Sequence, residues 1–183
     1  MTEVKFHESA LDYEFSDYIP PYVQEGFWPR MEMAAVFARE ARHPELPVVD
    51  LGCNGGHLLE LIGPPCWGYD VAKYPLSVAR AAGHDARRAD ITKDEIELAP
   101  VVTICEVLEH LADPHSVVRR LNCDPVEFVV ASGPYQETPE AHYEQHCWAW
   151  DEEGFAAMFE AAGFRIVKQT TTGIFQALLA TRK

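Results

Sequence analysis

Three groups of polar side chains in this 183-residue chain have types and spacings that could carry chemistry. The first is Glu106-x-x-Glu109-His110, joined much later by His146 in "EQHCWAW". Two carboxylates and two imidazoles can accept a proton from a reacting group, and the same set can hold a divalent metal that orients and acidifies a hydroxyl. The second is a series of acids at the ends of short strand-like segments: Asp50, Asp70 and Asp90. The third is the glycine turn inside "PVVDLGCNGGHLLELI", where bare backbone can come close to a ligand.

Elimination narrows what that turn holds. A phosphate-binding loop needs GxxxxGK[ST], and no lysine follows Gly55-Gly56. A dinucleotide fingerprint needs GxGxxG; counted from Gly52, its second and third glycines are replaced by Asn54 and His57. What remains is strand-Asp-x-Gly-x-Asn-Gly-Gly, which resembles the first motif of the class I S-adenosylmethionine-dependent methyltransferases, usually D-x-G-x-G-x-G. Asn54 stands where the middle glycine is usual, and asparagine tolerates left-handed backbone better than most residues.

Further segments carry the resemblance across residues 46–183. Asp70 ends the second strand, 20 residues after Asp50, where an acid can accept both hydroxyls of an adenosyl ribose. "ADIT" at 89–92 is similar to the family's adenine-binding segment. "ICEVLEHLADP" at 104–114 resembles the signature after the fourth strand, and "EAAGFRIV" the late helix-to-strand passage. The resemblance implies a cofactor site of Asp50, Gly52, Cys53, Asn54, Gly56, Asp70, Val71, Asp90, Ile91 and Glu106. Asp50 is expected to order the loop by accepting backbone N–H bonds, and Asp90 to take the exocyclic amine. Local capping is the competing reading for Asp70 and Asp90.

On the acceptor side the expected residues are His146, with His110 or His142. Glu106, Glu109, Tyr135, Tyr143 and Glu144 are further candidates beyond the carboxyl ends of strands four and five. E-x-x-E-H with a later histidine is also similar to the metal-binding pattern of the small-RNA 2′-O-methyltransferases, and ubiquinone-pathway O-methyltransferases share E-x-x-E-H. If a metal is used, Glu106, Glu109, His110 and His146 are its expected ligands. The opposing reading, without a metal, is that His110 packs and bonds locally.

The elements that must place these residues alternate strand and helix. Strands are expected at 48–51, 66–70, within 84–90, 100–108 and 126–132, with helices after each and Asp113 and Asp151 as caps. Two closing strands flank Gly173, so one of them must run antiparallel. The fold class is α/β, a parallel sheet with helices on both faces. The resemblance implies a seven-stranded Rossmann-like methyltransferase sandwich of order 3-2-1-4-5-7-6, strand seven antiparallel. One domain is expected over 1–183: an N-terminal aromatic arm and helix over 1–45, and the core over 46–183. "DYIPPY" makes the arm irregular, and "WPRMEMAAVFAREAR" forms its helix. Tyr13, Tyr18, Tyr22, Phe27 and Trp28 form a lid over an apolar acceptor or else pack on the sheet. Arg30 either reaches the cofactor's carboxylate or faces solvent.

Charge sets the remaining limits. The chain carries 29 acids against 15 basic residues, a net charge of −14, which disfavours nucleic acid and anionic membranes. No apolar run has the length of a membrane span, no signal peptide is legible, and five cysteines without CxxC read as reduced thiols, so a cytoplasmic location is expected. The expected activity is methyl transfer from S-adenosyl-L-methionine to O, N or C of a small molecule, leaving S-adenosyl-L-homocysteine. The alternatives are a catalytically silent methyltransferase-like binding module, or a metal-dependent 2′-O-methyltransferase of a polynucleotide end.

Overall fold

A computed structural model describes residues 2–7, 28–43 and 45–183. Its elements run β1 (Glu3–Lys5), α1 (Trp28–Ala41), β2 (Val48–Leu51), α2 (His57–Ile62), β3 (Cys66–Asp70), α3 (Lys73–Ala81) and β4 (Ala86–Arg88). Then follow β5 (Val101–Cys105), α4 (Pro114–Arg120), β6 (Phe128–Pro134), β7 (Trp148–Trp150), α5 (Glu152–Ala161), β8 (Phe164–Thr172) and β9 (Phe175–Arg182). Tyr13, Tyr18, Tyr22 and Phe27 of the expected lid lie outside the described residues; Trp28 is described as the first residue of α1.

Seven strands form one sheet in the order β4-β3-β2-β5-β6-β9-β8. Counted within that sheet alone, the order is 3-2-1-4-5-7-6; chain-order labels differ because β1 and β7 form a separate pair. Only β9 is reversed, running antiparallel to both β6 and β8. The central strands are apolar on both sides because both sides are covered. Val48, Val101 and Val130 face α1 and α2, in one core with Met31, Ala34, Ala38 and Leu58. Val49, Val102 and Val129 face the opposite way, toward Val118 of α4 and Phe155 and Phe159 of α5. Asp113 and Asp151 cap α4 and α5 by accepting the backbone N–H three residues on.

Two expectations change. The arm was read as irregular, yet Glu3–Lys5 pairs antiparallel with Trp148–Trp150. β7 lies outside the large sheet and offers an edge, and Glu3 accepts bonds from the indole of buried Trp150 (2.9 Å) and from His115. The fourth large-sheet strand was expected to reach 108, but it stops at Cys105. Glu106 takes a left-handed φ of 57°, and Leu108–His110 turns into a short 3-10 helix. That corner turns the E-x-x-E-H side chains back over the strand ends.

Candidate functional site

The carboxyl ends of β2, β3 and β5 open onto a cleft of about 1720 Å³, walled partly by Asp50, Gly52, Asn54, Asp70, Ile91, Glu106 and His146. Compact ligand pockets run to about 1,000 Å³, so the cleft has room for two reactants side by side.

On the β2–β3 side the glycine turn is held by Asp70. Its two carboxylate oxygens accept the N–H of Asn54 and of Ala72, both at 2.8 Å. Gly52 and Cys53 donate to the carbonyl of Tyr69, and Gly55 donates to the Asn54 side chain at 2.7 Å. Gly52 and Asn54 both have positive φ, 87° and 44°, so Asn54 does take the left-handed place of a glycine. A side chain at Gly52 would also strike Val107, 2.3 Å away. Gly56 lies off the cleft wall and closes the strand–helix contact, where a Cβ would meet His84 at 2.6 Å.

Asp50 does not order that turn, contrary to expectation. It is buried beneath it and accepts the Thr103 hydroxyl at 2.6 Å. Burial pushes its carboxyl up to about 7; the Thr103 bond works against this and the Asp70 charge adds to it. Asp70 is also raised by burial, with its backbone N–H partners pulling the other way. Asp90 accepts the N–H and hydroxyl of Thr92 and pairs with Lys93, closing a turn with no helix after it. Ile91 and Val71 complete this wall. Burial raises the thiols of Cys53 and Cys105, so neither presents a thiolate at neutral pH.

On the β5 side, Glu106 receives the Arg30 guanidinium at 3.0 Å and the Ser132 hydroxyl at 2.8 Å. Burial raises its carboxyl nonetheless, with Arg30 the strongest opposing influence. Arg30 is therefore buried rather than solvated: it lies against Glu106 and over the Phe175 ring, on the wall of the cleft.

Deeper in, Glu109 is 0% exposed and neither carboxylate oxygen has a hydrogen-bond partner among the described residues. Burial, then the charge of Glu106, raises its carboxyl well above the usual range. His110 Nδ1 lies 3.1 Å from the Gln145 carbonyl, and Nε2 lies 3.9 Å from Glu109. Burial, then His146, lowers His110 to about 4, so it is neutral at physiological pH. His146 meets it edge to face at 4.8 Å, and His146 Nδ1 lies 2.7 Å from Glu137 Oε2. One donor atom each from Glu109, His110 and His146 falls within 4.8 Å of the others. Glu106, engaged by Arg30 and Ser132, is outside that group.

His142 is not on the cleft wall. Its ring stacks on Phe6 at 3.9 Å and its Nδ1 faces the Thr138 carbonyl, so it anchors the N-terminal strand. Tyr143 lines the cleft, whereas Tyr135 and Glu144 do not. Glu137 and Ser132 went unrecognised in the sequence. Ser132 was hidden inside an apolar strand, and eight residues of irregular loop separate Glu137 from His146.

The strand order, the single reversed strand and the glycine turn at the first strand's end define the class I S-adenosylmethionine-dependent methyltransferase fold, and this chain has it. Solved structures agree. The N-methyltransferase NodS of Bradyrhizobium japonicum, in complex with S-adenosyl-L-homocysteine, superposes with a TM-score of 0.74 over 93% of this chain and 94% of that one, at 14% identity. A Synechocystis magnesium protoporphyrin IX methyltransferase with the same molecule bound gives 0.66 over 85% and 82%, at 16% identity. Among curated proteins, a ubiquinone biosynthesis O-methyltransferase of Hahella chejuensis is 40% identical over 87 residues, 41% of this chain and 37% of that protein. Its counterpart from Stutzerimonas stutzeri is 39% identical over 84 residues, 39% and 36% of the two chains. The similarity thus spans little more than a third of those relatives. No protein-family model matches the chain. The resemblance to small-molecule methyltransferases of the ubiquinone-pathway type is borne out.

Proposed function

We propose that this chain, as one methyltransferase domain, transfers a methyl group from S-adenosyl-L-methionine to a hydroxyl of a small-molecule acceptor. The observation that carries this is the pairing of His146 with Glu137 across one cleft from the Asp70-anchored turn. The donor set suits a sulfonium: Asp50, Asp70 and Glu106 ring the cleft, and the turn lacks the lysine a phosphate would require. The bound sulfonium supplies an electrophilic methyl group. The chain's residues hold the donor, align the acceptor with it and take the acceptor's proton. Asp70 holds the turn and retains lone pairs for the ribose hydroxyls. Asn54, Gly52, Cys53, Val71 and Ile91 shape the wall around the donor. His146 Nε2 takes the hydroxyl proton while Glu137 steadies the resulting imidazolium. The curated relatives, named as O-methyltransferases, support oxygen as the methylated atom.

A second reading is favoured by Glu109, whose buried oxygens have no hydrogen-bond partner among the described residues. Glu109, His110 and His146 would hold a divalent cation, which supplies a Lewis acid for the hydroxyl. The residue types fit, with a small inward movement: donors about 2.0–2.2 Å from one ion stand up to about 4 Å apart, whereas these three atoms lie within 4.8 Å of one another. Each imidazole also gives its Nδ1 to an oxygen acceptor, as metal-bound histidines do.

The net charge of −14 supports a small molecule over a polynucleotide. No helix among the described residues is long and apolar enough to cross a membrane. All five cysteines are free, which supports the cytoplasm. The test is formation of S-adenosyl-L-homocysteine with a panel of phenols, catechols and aliphatic alcohols, with and without a chelator. Turnover supports the proposal; loss of turnover on chelation favours the second reading. Cofactor binding with no turnover on any acceptor would point to a silent binding module.

A further inference from the structure

Glu137 makes two contacts at once. Oε2 faces His146 Nδ1 at 2.7 Å, and Oε1 accepts the backbone N–H of Tyr143 at 3.0 Å. The His146–Glu137 pair is largely shielded, with side-chain exposures of 12% and 15%. From these contacts we infer that Glu137 is the positioning residue that fixes the tautomer of His146, Nδ1 protonated and the Nε2 lone pair turned to the cleft.

The reasoning is one of donors and acceptors. An ionised carboxylate only accepts, so the nitrogen facing it must carry the proton. A neutral imidazole then has its lone pair on Nε2. The neighbouring ring is set in the same sense, since a carbonyl also only accepts and His110 Nδ1 faces that of Gln145. The nitrogen aimed away from the loop is thus the basic one in His146. This holds whether Nε2 takes a proton from a hydroxyl or ligates a cation, and it rests on the proposed methyl transfer only for its kinetic consequence.

Glu137→Gln should reverse the arrangement rather than merely weaken it. The Tyr143 N–H is a fixed backbone donor and will retain the amide oxygen. The amide NH₂ is then left facing His146 Nδ1, and two donors cannot share that contact. The ring must move its proton to Nε2, closing the lone pair that faces the cleft. No bond is made or broken beyond that proton shift within the ring.

The experiment is ¹⁵N NMR of the imidazole nitrogens in the cofactor-free full chain, with His146 assigned by loss of its signals in His146→Ala. The expected result is an Nδ1–H tautomer in the unaltered protein and in Glu137→Asp, and an Nε2–H tautomer in Glu137→Gln. An Nε2–H form in the unaltered protein, or the same tautomer in it and in folded Glu137→Gln, overturns the inference. This measurement needs no methyl transfer, so it stands if the proposed activity fails. Where an acceptor is turned over, Glu137→Gln should lower kcat about 10³-fold or more, the scale of a base held in the wrong tautomer, with acceptor KM changed less than about threefold. A rise in KM with kcat intact would instead mark Glu137 as a loop support and overturn the positioning role.

Discussion

Arg30 and Glu106 meet at 3.0 Å across 76 residues of chain, tying the first turn of α1 to the residue that follows β5. Both are almost fully shielded, at 8% and 14% side-chain exposure. The pair fixes Glu106 at a corner whose left-handed φ of 57° is unfavourable for a non-glycine residue. Removing the cation leaves a buried carboxylate with only Ser132. Arg30→Ala should therefore lower stability by about 3 kcal/mol in urea denaturation. Adding Glu106→Gln should restore part of that loss, because an amide is easier to bury alone. A double variant no more stable than Arg30→Ala would show that the pair does not act as a unit.

Asp70 holds the glycine turn through two backbone N–H groups, one on each oxygen. Asp70→Asn keeps the shape but offers one acceptor where two are needed. Binding of S-adenosyl-L-methionine, followed by calorimetry, should weaken at least about tenfold, the equivalent of about 1.4 kcal/mol. Asp50→Asn should weaken binding less, since Asp50 bonds Thr103 beneath the turn and does not hold the turn's N–H groups. Equal losses from the two variants would contradict this division of roles.

The strands were legible because both sheet faces are buried, which makes β5 and β6 largely apolar runs, interrupted only by Thr103 and Ser132. The short turn at Gly173 required one of the two closing strands to be reversed; that it is the last was implied by the family resemblance. The site was legible where ligand chemistry leaves a local pattern: Asp50, Gly52, Asn54, Asp70 and Glu106 all reach one cleft. It was not legible where function depends on contacts across loops. Nothing in "PYQETPEAHYEQH" says that Glu137 turns back to His146 while His142 turns out to Phe6. Nor does "TEVKFH" announce that Glu3 meets Trp150, since a three-residue strand has no period to read. The assignment of Asp50 to the turn failed for a similar reason: its neighbour Thr103 comes from another strand.

Arg120, on the last turn of α4, donates to the carbonyls of Ile91 and Asp94, both at 2.8 Å. These carbonyls belong to the segment that closes the cleft below Asp90. A planar guanidinium spans both; a lysine ammonium lacks that fork. Arg120→Lys should loosen the segment and raise the KM for S-adenosyl-L-methionine about fivefold to tenfold, equivalent to losing one or two hydrogen bonds, with kcat changed less than about twofold. Steady-state kinetics at saturating acceptor give both constants. A fall in kcat with unchanged KM would place the effect at the acceptor side instead.

Four buried acids dominate the response to pH. Asp50 rises from 3.8 to about 7, and burial also raises Asp70, Glu106 and Glu109. A carboxyl raised in the folded state keeps its proton where the unfolded chain has lost it. Stability from these groups is complete below about pH 4 and is lost as pH climbs toward 7. His110, lowered to about 4, acts oppositely between 4 and 6.5; His57, also lowered by burial, acts in the same sense as His110. Two rings do not offset four acids, so the urea midpoint of the ligand-free protein should be higher at pH 5.5 than at pH 7.5. A cationic ligand favours the ionised acids, so binding S-adenosyl-L-methionine at pH 6.5 should release protons. Calorimetry in buffers of different ionisation enthalpy measures that release directly. Proton uptake, or a urea midpoint that climbs from pH 5.5 to 7.5, would mean that these carboxylates are already ionised in the empty cleft.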